Sequence, residues 1–422
     1  MSTVTYNQRQ YILTFQEYHS ILLGSFWAAP RFFETYKRIT GTDVGFLYII
    51  KNNELIGFME TNGPENIYAS IKNKLTKEWI TTEIKRFDGL VHQLQKIIEP
   101  SRKEFHPSGF EERLKTVFSL LMQIYPYSNS FYLLSQILES QLMKKLTEKY
   151  GSERANTILI ESGTPLKDTL LVQYRKEIES IAAELNKKGV QSNLLQTLYK
   201  KDPSFANKIN DIQEKYFCLT SINAEERTPE SFFPDIVQAM TNFPSKKEKT
   251  TIPSEVEEDI FLLRAMVYFK DEISTYLIPY VKFGLNLEWN ALAAKWDLTR
   301  EEMDHLLIEE VLGLTPIKNV KKLVSERRKG VLFIHEPPKS SSDVLDGNKA
   351  EIEIQIIMNQ MGHAKVDVTE INGSIGSPGK VRGIVHKILS SKEISKFEKG
   401  KILVTVYTAP DFVPATLKSI SP

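Results

Sequence analysis

Arg113-Leu-Lys-Thr-Val-Phe-Ser-Leu-Leu-Met-Gln-Ile-Tyr125 is the stretch on which the fold class turns. Leu114, Val117, Leu120, Leu121 and Ile124 recur at the spacing that lines one face of an α-helix, so the segment predicts a helix with a buried stripe. Phe131 to Leu146 repeats the pattern with Leu133, Leu134, Ile137, Leu138 and Leu142. Outward from there, most of residues 1–330 reads as helix punctuated by Pro, Gly and Ser. Gly163-Thr-Pro-Leu precedes a further helix over Asp168 to Asn186, and residues 243–253 form a polar, charged loop. Such apolar stripes are core rather than cofactor sites. The fold class expected is therefore mainly α, a multi-helix body.

Two capping boxes add helix starts. Ser254-x-x-Glu257 opens a long helix expected to run to about Leu277 and to be bent or ended by Pro279. Thr299-x-x-Glu302 opens another, carrying Met303, Leu306, Leu307, Val311 and Leu312. The early exception is Val44-Gly-Phe-Leu-Tyr-Ile-Ile, Lys51-Asn-Asn-Glu and Leu55-Ile-Gly-Phe-Met. Asn tolerates the positive φ of tight turns, so this predicts a small N-terminal β-hairpin near 44–59, an ornament on the helical body.

Hydrophobic residues make up 41% and charged residues 25% of the 422, values of an ordinary globular protein. Lys+Arg 54 against Asp+Glu 53 leaves a formal charge of +1, so no whole-chain field draws the protein to nucleic acid or membrane. The lone Cys218 forms no internal disulfide, fits a reducing compartment and, within Tyr216-Phe-Cys-Leu, reads as a buried structural thiol. There is no signal-peptide pattern and no apolar run near the ~20 residues that span a bilayer, so a cytoplasmic location is expected.

Arg327-Arg-Lys-Gly330 leads into a short strand, Val331-Leu-Phe-Ile334, and Pro337-Pro-Lys-Ser-Ser-Ser342 reads as a flexible boundary. Glu351-Ile-Glu-Ile-Gln-Ile-Ile alternates like a strand, yet Asn348–Gln360 is read as a helix. Gly373, Gly376, Gly379 and Gly383 then fall within eleven residues, a density suited to tight turns and close backbone approach rather than to G-x-G-x-x-G or a P-loop. Val381-x-x-Ile384-Val385 predicts a strand, and Ser390-x-x-Glu393 a short helix holding Ile394 and Phe397, closed by Gly400. Lys401-Ile-Leu-Val-Thr-Val406 predicts a second strand, and Thr408-Ala-Pro-Asp-Phe-Val-Pro414 a loop fixed at two prolines. Two strands and a helix expose too much apolar surface to stand alone.

Taken together, these C-terminal segments resemble the start of the mobile phosphohistidine domain of phosphoenolpyruvate synthases, pyruvate phosphate dikinases and related phosphotransferases. Gly376, Gly379 and Gly383 match the family's entry glycines. Lys399-Gly400 with Ile402-Leu403-Val404 matches its lysine–glycine–strand element, and Thr408, Pro410 and Pro414 its threonine–proline loop. With Gly373, these are scaffold positions and not phosphate carriers. The resemblance implies a swivelling β/α domain whose histidine takes a phosphoryl group at one site and delivers it at another, splitting one hard transfer into two. In the family that histidine follows in a Gly-Gly-x-Thr-Ser-His stretch, and the sequence here is expected to stop short of it, leaving an incomplete domain and no catalytic residue in this chain. Phe261-Leu-Leu-Arg264 through Trp296-Asp-Leu-Thr-Arg-Glu-Glu-Met303, then Arg327-Arg328, is similar in order to the helical segment before the mobile domain of some short members. The expected organisation is an N-terminal region 1–150 carrying the hairpin, a helical domain 151–335, a linker 336–365 and a partial mobile domain 366–422. ATP, Mg and phosphoenolpyruvate or pyruvate are implied only for the intact family enzyme, with a nucleotide-binding ATP-grasp domain or subunit as partner.

His386 and His363 lie nearest the motif but read as strand or surface residues, and His19, His92, His106, His305 and His335 are scattered, with no HExxH and no metal site. Lys246-Lys-Glu-Lys249, Lys318-Asn-Val-Lys-Lys322 and Arg327-Arg-Lys329 read as solvated charge without an aromatic platform for nucleic acid. The alternative is a non-catalytic helical binding or scaffold protein whose C-terminal β/α stub pairs with a partner chain.

Overall fold

The structure is a computed structural model and describes residues 3–18, 20–219, 226–241, 252–273, 277–313, 319–339, 342–363, 381–388, 396–405 and 419. The fold is mainly α. Its backbone divides into two compact units, one of residues 1–145, 253–274 and 281–371, the other of 146–252, 275–280 and 372–422.

The first unit is organised by six antiparallel strands. They are β1 (Thr3–Tyr6), β2 (Arg9–Tyr18), β3 (Phe46–Lys51), β4 (Glu54–Glu60), β5 (Val331–His335) and β6 (Asp343–Asp346), in the order β1-β2-β4-β3-β5-β6. The expected hairpin is β3–β4. Its turn residues Asn52 and Asn53 both take positive φ (54° and 60°), the conformation a two-residue hairpin needs to match strand twist. It is the centre of the sheet rather than an ornament. Residues 3–18, expected as helix, supply β1 and β2. A bulge between Leu13 and Phe15 lets Phe15 lie over Gly57, where a Cβ would come within 2.4 Å of the ring.

Both faces of the sheet are covered, which is why β3 and β5 are buried without alternation. On one face Leu47, Ile49, Ile56, Phe58, Leu332 and Ile334 pack against Ala350, Ile354 and Ile357 of the helix Gly347–His363. On the other, Phe46 meets Tyr36 edge-on at 5.3 Å and Phe33 at 6.1 Å, both from the helix Pro30–Thr40. Asn348–Gln360, read as a helix, lies within the helix Gly347–His363, and the strand Asp343–Asp346 before it belongs to the sheet, so both elements fall inside the stretch 336–365 expected as a linker. The isoleucines that alternate in Glu351–Ile357 also fall near helical spacing, and the sheet supplies the surface that selects the helix.

The helices of this unit share an aromatic core. Phe131 stacks on Phe269 at 4.5 Å and Phe87 meets Phe269 edge-on at 5.2 Å. The stripes at Arg113–Tyr125 and Phe131–Leu146 belong to one helix, Phe110–Tyr150, which continues through Pro126. Proline costs a helix interior a hydrogen bond, but buried Tyr125, Tyr127 and Phe131 anchor the chain on both sides of it. A buried network beside them joins Arg38 to both oxygens of Glu83 (2.9 and 3.0 Å), and Tyr127 donates to Glu83 at 2.7 Å. The Thr299–Glu302 capping box forms as expected. The one at Ser254 does not: Ser254 sits inside a 3₁₀ turn after Pro253, and the helix Glu257–Glu272 starts from Val256 without a side-chain cap. Pro279 is the second residue of the next helix, Ile278–Gly284.

The second unit packs the helices Leu170–Lys187, Pro203–Tyr216 and Phe233–Thr241. Thr169 caps the first through the Val172 N–H. Arg227 ties them by donating to Asp235 at 2.7 Å and Tyr174 at 3.1 Å while lying over the Phe232 ring at 3.9 Å. Cys218 is wholly buried here. The same unit contains a two-stranded parallel pair, β7 (Val385–Lys387) and β8 (Ile402–Val404).

Candidate functional site

The C-terminal motif is only partly within the described residues. Gly373, Gly376, Gly379, Thr408, Pro410 and Pro414 lie outside them, as does the helix expected after Ser390. Gly383 sits at a bend two residues before β7. Gly400 has φ +83°, the left-handed conformation expected where a turn enters a strand, and nothing would touch a Cβ there, so its glycine requirement is one of backbone conformation. The two strands pair in parallel, Val385 with Ile402 and Lys387 with Val404. The connection between them brings Phe397 back onto His386, ring centroids 5.3 Å apart.

The other histidines are dispersed. His335 is buried on β5 and stacks on Phe33 at 3.4 Å; His363 ends the helix Gly347–His363; His92 lies on the helix Lys77–Lys103; His19 is outside the described residues. Among the described residues no group of three His, Cys, Asp or Glu side chains is placed to hold a metal ion. No helix among them is long and apolar enough to cross a membrane.

The first unit holds a cleft of about 320 Å³ that the sequence did not single out. Its walls come from four places. The tip of the β3–β4 hairpin contributes Ile50, Lys51, Asn52 and Asn53. The segment opened by the Thr299 cap contributes Glu301 and His305. The end of the helix Val320–Arg327, itself capped by Asn319 through the Lys322 N–H, contributes Arg327 and Arg328. Ile21 adds a second apolar wall.

Arg327 is the anchor. Its guanidinium grips both oxygens of Glu310 (2.5 and 2.8 Å), reaches Asp346 at 3.2 Å and donates to the His305 carbonyl at 3.2 Å. Its side chain is 3% exposed, so the basic run Arg327–Lys329, expected as solvated charge, begins with a buried residue. A bidentate, fully hydrogen-bonded guanidinium is the arrangement in which a buried cation is tolerated. The segment is pinned further by Leu22 N–H donating to the Asp304 carbonyl at 3.0 Å and Ile308 N–H to Ser25 Oγ at 2.9 Å.

The remaining charged groups are less committed. Among the described residues Arg328 pairs only with Glu301, at 3.6 Å, with side chains 55% and 77% exposed. Lys51 makes no ion pair among the described residues. Burial, aided by the Arg328 charge, holds the His305 imidazole below its usual range, so it is neutral near pH 7, and its Nδ1 is buried without a hydrogen-bond partner among the described residues. Behind it, burial pushes the Asp304 carboxyl up and the Lys282 ammonium down, while Arg300 lies over the Trp289 ring at 4.7 Å. The sequence signals were the Asn-Asn turn and an Arg-Arg-Lys-Gly directly ahead of a buried strand. Neither says that the two meet.

No known family profile matches the chain, and no solved structure does. A stretch of it is 38% identical over 89 residues to a protein named probable phosphoenolpyruvate synthase from Archaeoglobus fulgidus. The match takes in 18% of this chain and 12% of that protein, so the chain spans about an eighth of the relative it matches. A partial likeness to the phosphoenolpyruvate-utilising enzymes is what this amounts to.

Proposed function

We propose that this chain is part of a phosphoenolpyruvate synthase-like phosphotransferase, with residues 366–422 as the opening of a mobile phosphohistidine domain. The observation that carries the reading is the partial identity with a probable phosphoenolpyruvate synthase, which agrees with the order glycine bend, β7, crossover, Gly400 turn, β8. In the complete enzyme, ATP, Mg and phosphoenolpyruvate or pyruvate would be handled by an ATP-grasp domain or subunit and an acceptor domain, in the cytoplasm. The part played by Gly373, Gly376, Gly379, Gly383, Gly400, Thr408, Pro410 and Pro414 is to shape the domain, not to carry phosphate.

Reading the coding sequence beyond codon 422 tests the proposal. Continuation into Gly-Gly-x-Thr-Ser-His supports it, and a stop followed by unrelated sequence removes the catalytic reading. Residues 1–422 incubated with radiolabelled phosphoenolpyruvate or ATP are expected to retain no label; acid-labile label on this chain would overturn the absence of a carrier histidine.

A second reading is a non-catalytic binding protein whose β7–β8 stub is completed by another chain. Ile384 (70% exposed), Val385 (57%) and Val404 (43%) favour it, since apolar residues of a strand pair normally face a covering layer. Co-purification with a nucleotide-binding partner in the absence of a downstream histidine segment distinguishes this reading from the first.

A further inference from the structure

We propose that the cleft between the β3–β4 hairpin tip and Arg327–Arg328 binds a small organic oxyanion. Lys51 and Arg328 hold the charged group, and the rest of the molecule occupies the cleft lined by Ile21, Ile50, Asn52 and Asn53.

Three observations carry this. First, three cations, Lys51, Arg327 and Arg328, line one cavity against a single carboxylate, Glu301. Arg327 is already neutralised by Glu310 and Asp346, so it supplies a rigid positive wall and not a free donor. The charges left over are Lys51 and Arg328. The Arg328–Glu301 contact is long and wet, and exposed pairs of that kind contribute about 0–1 kcal/mol, so a ligand oxyanion displaces Glu301 with little loss.

Second, hydrogen-bonding capacity faces the same space unused. The Asn52 and Asn53 side chains line the cleft, and their amides make no hydrogen bond among the described residues.

Third, the size is that of a metabolite. About 320 Å³ lies at the lower end of small-molecule sites, roughly 300–1,000 Å³. Ile21 and Ile50 are 3% and 1% exposed, so they form a packed floor to the cleft rather than an open apolar surface. The positions of these walls are set by the hairpin turn and by Gly330, whose φ of +126° returns the chain from Arg328 into β5. The charged group is a phosphoryl or a carboxyl, since both offer oxygens to an ammonium and a guanidinium. The proposal does not rest on the phosphotransferase reading and needs no carrier histidine.

The experiment is titration of residues 1–422 with phenyl phosphate, phenylacetate and inorganic phosphate, followed by calorimetry and by the ring resonances of His305. Saturable binding of an organic probe tighter than inorganic phosphate, with the His305 resonances moving, is expected. Tighter binding of phenyl phosphate assigns a phosphoryl ligand, and tighter binding of phenylacetate a carboxylate. Lys51→Ala and Arg328→Gln, both at the surface, should each weaken binding about tenfold, the loss of one charge-assisted hydrogen bond. No saturable binding overturns the proposal. So does binding that neither substitution weakens, or inorganic phosphate binding as tightly as both organic probes.

Discussion

Val331, Leu332 and Phe333 of β5 are at most 1% exposed, whereas Val385 of β7 is 57% exposed and Val404 of β8 is 43% exposed. Similar side chains on similar strands meet opposite fates because of what surrounds them. β5 has a hydrogen-bonded neighbour on each edge, β3 and β6, and a helix on each face of its sheet. Among the described residues β7 and β8 have only each other. A strand pair without further strands or a covering helix is marginal in water. The six-stranded sheet is therefore held by its own neighbours on both edges and both faces, whereas among the described residues β7 and β8 pair only with each other.

The sharpest way to break that contrast is a pair of truncations. Phe58→Ala, in the covered sheet, should cost about 3–5 kcal/mol through lost burial and the cavity it leaves. Val404→Ala should stay within about 0.5 kcal/mol, as exposed substitutions do. Amide exchange read separately on β3–β4 and β7–β8 measures both, which matters because two units need not unfold as one. Equal losses would mean that β7–β8 is covered as fully as the large sheet.

Arg327 tests whether the covered unit owes its register to a charged anchor as well as to apolar packing. Arg327→Met leaves Glu310 and Asp346 facing each other without their cation, and removal of one partner from a buried pair costs about 3–5 kcal/mol. Most of that loss is the stranded carboxylate, so the double variant Arg327→Met/Glu310→Leu should recover the larger share in urea melts. A double variant as unstable as the single would show that the guanidinium's bonds to Asp346 and the His305 carbonyl matter more than its charge balance.

A smaller effect separates the two turns. Asn53→Val forces a β-branched residue into positive φ and should cost about 1–2 kcal/mol, while Asn53→Gly should be neutral or better. Gly400→Ala, at φ +83° with open space around it, should loosen only the approach to β8. If Asn53→Val were harmless, the hairpin would not be pinning the centre of the sheet.

How much of this was legible in the sequence follows the range of the interactions. Helical stripes and the Asn-Asn turn are local, and both reading and structure agree on them. The role of the hairpin was not legible, because its partners β2 and β5 come from residues 9–18 and 331–335, and no local pattern declares a pairing across nearly 300 residues of chain. β1 alternates, with Thr3 and Thr5 exposed and Val4 and Tyr6 buried, but over only four residues, a run too short to declare a strand by itself, so the strand character of residues 3–18 went unseen. The stripes at Arg113–Tyr125 and Phe131–Leu146 read as separate segments because propensity is local, while the aromatic packing that carries one helix across Pro126 is tertiary. The cleft stayed hidden for the same reason. Arg327 reads as one of three basic residues in a row, and only the fold shows that it is buried on Glu310 while Arg328 beside it remains exposed.

That neighbourhood gives the last and smallest effect, one of pH. Burial depresses the His305 pKa from its ordinary 6.5, so the unfolded chain takes up a proton before the folded one does. Stability from this group is therefore fully present above about pH 6.5 and declines as the pH falls through 6.5 toward the depressed value. Asp304 acts in the opposite sense: its raised pKa means the folded state keeps a proton the unfolded state has lost, so its contribution fades as pH rises above 3.8. The charges facing His305 are Arg327, Arg328, Glu301 and Asp304. A drop in the urea midpoint between pH 7.5 and 5.5, smaller in His305→Gln, is the expected result. The change should appear in the amides of β3 and β5, beside the cleft. An identical drop in the variant would place the titrating group elsewhere and remove the cleft from the account of what holds the sheet together.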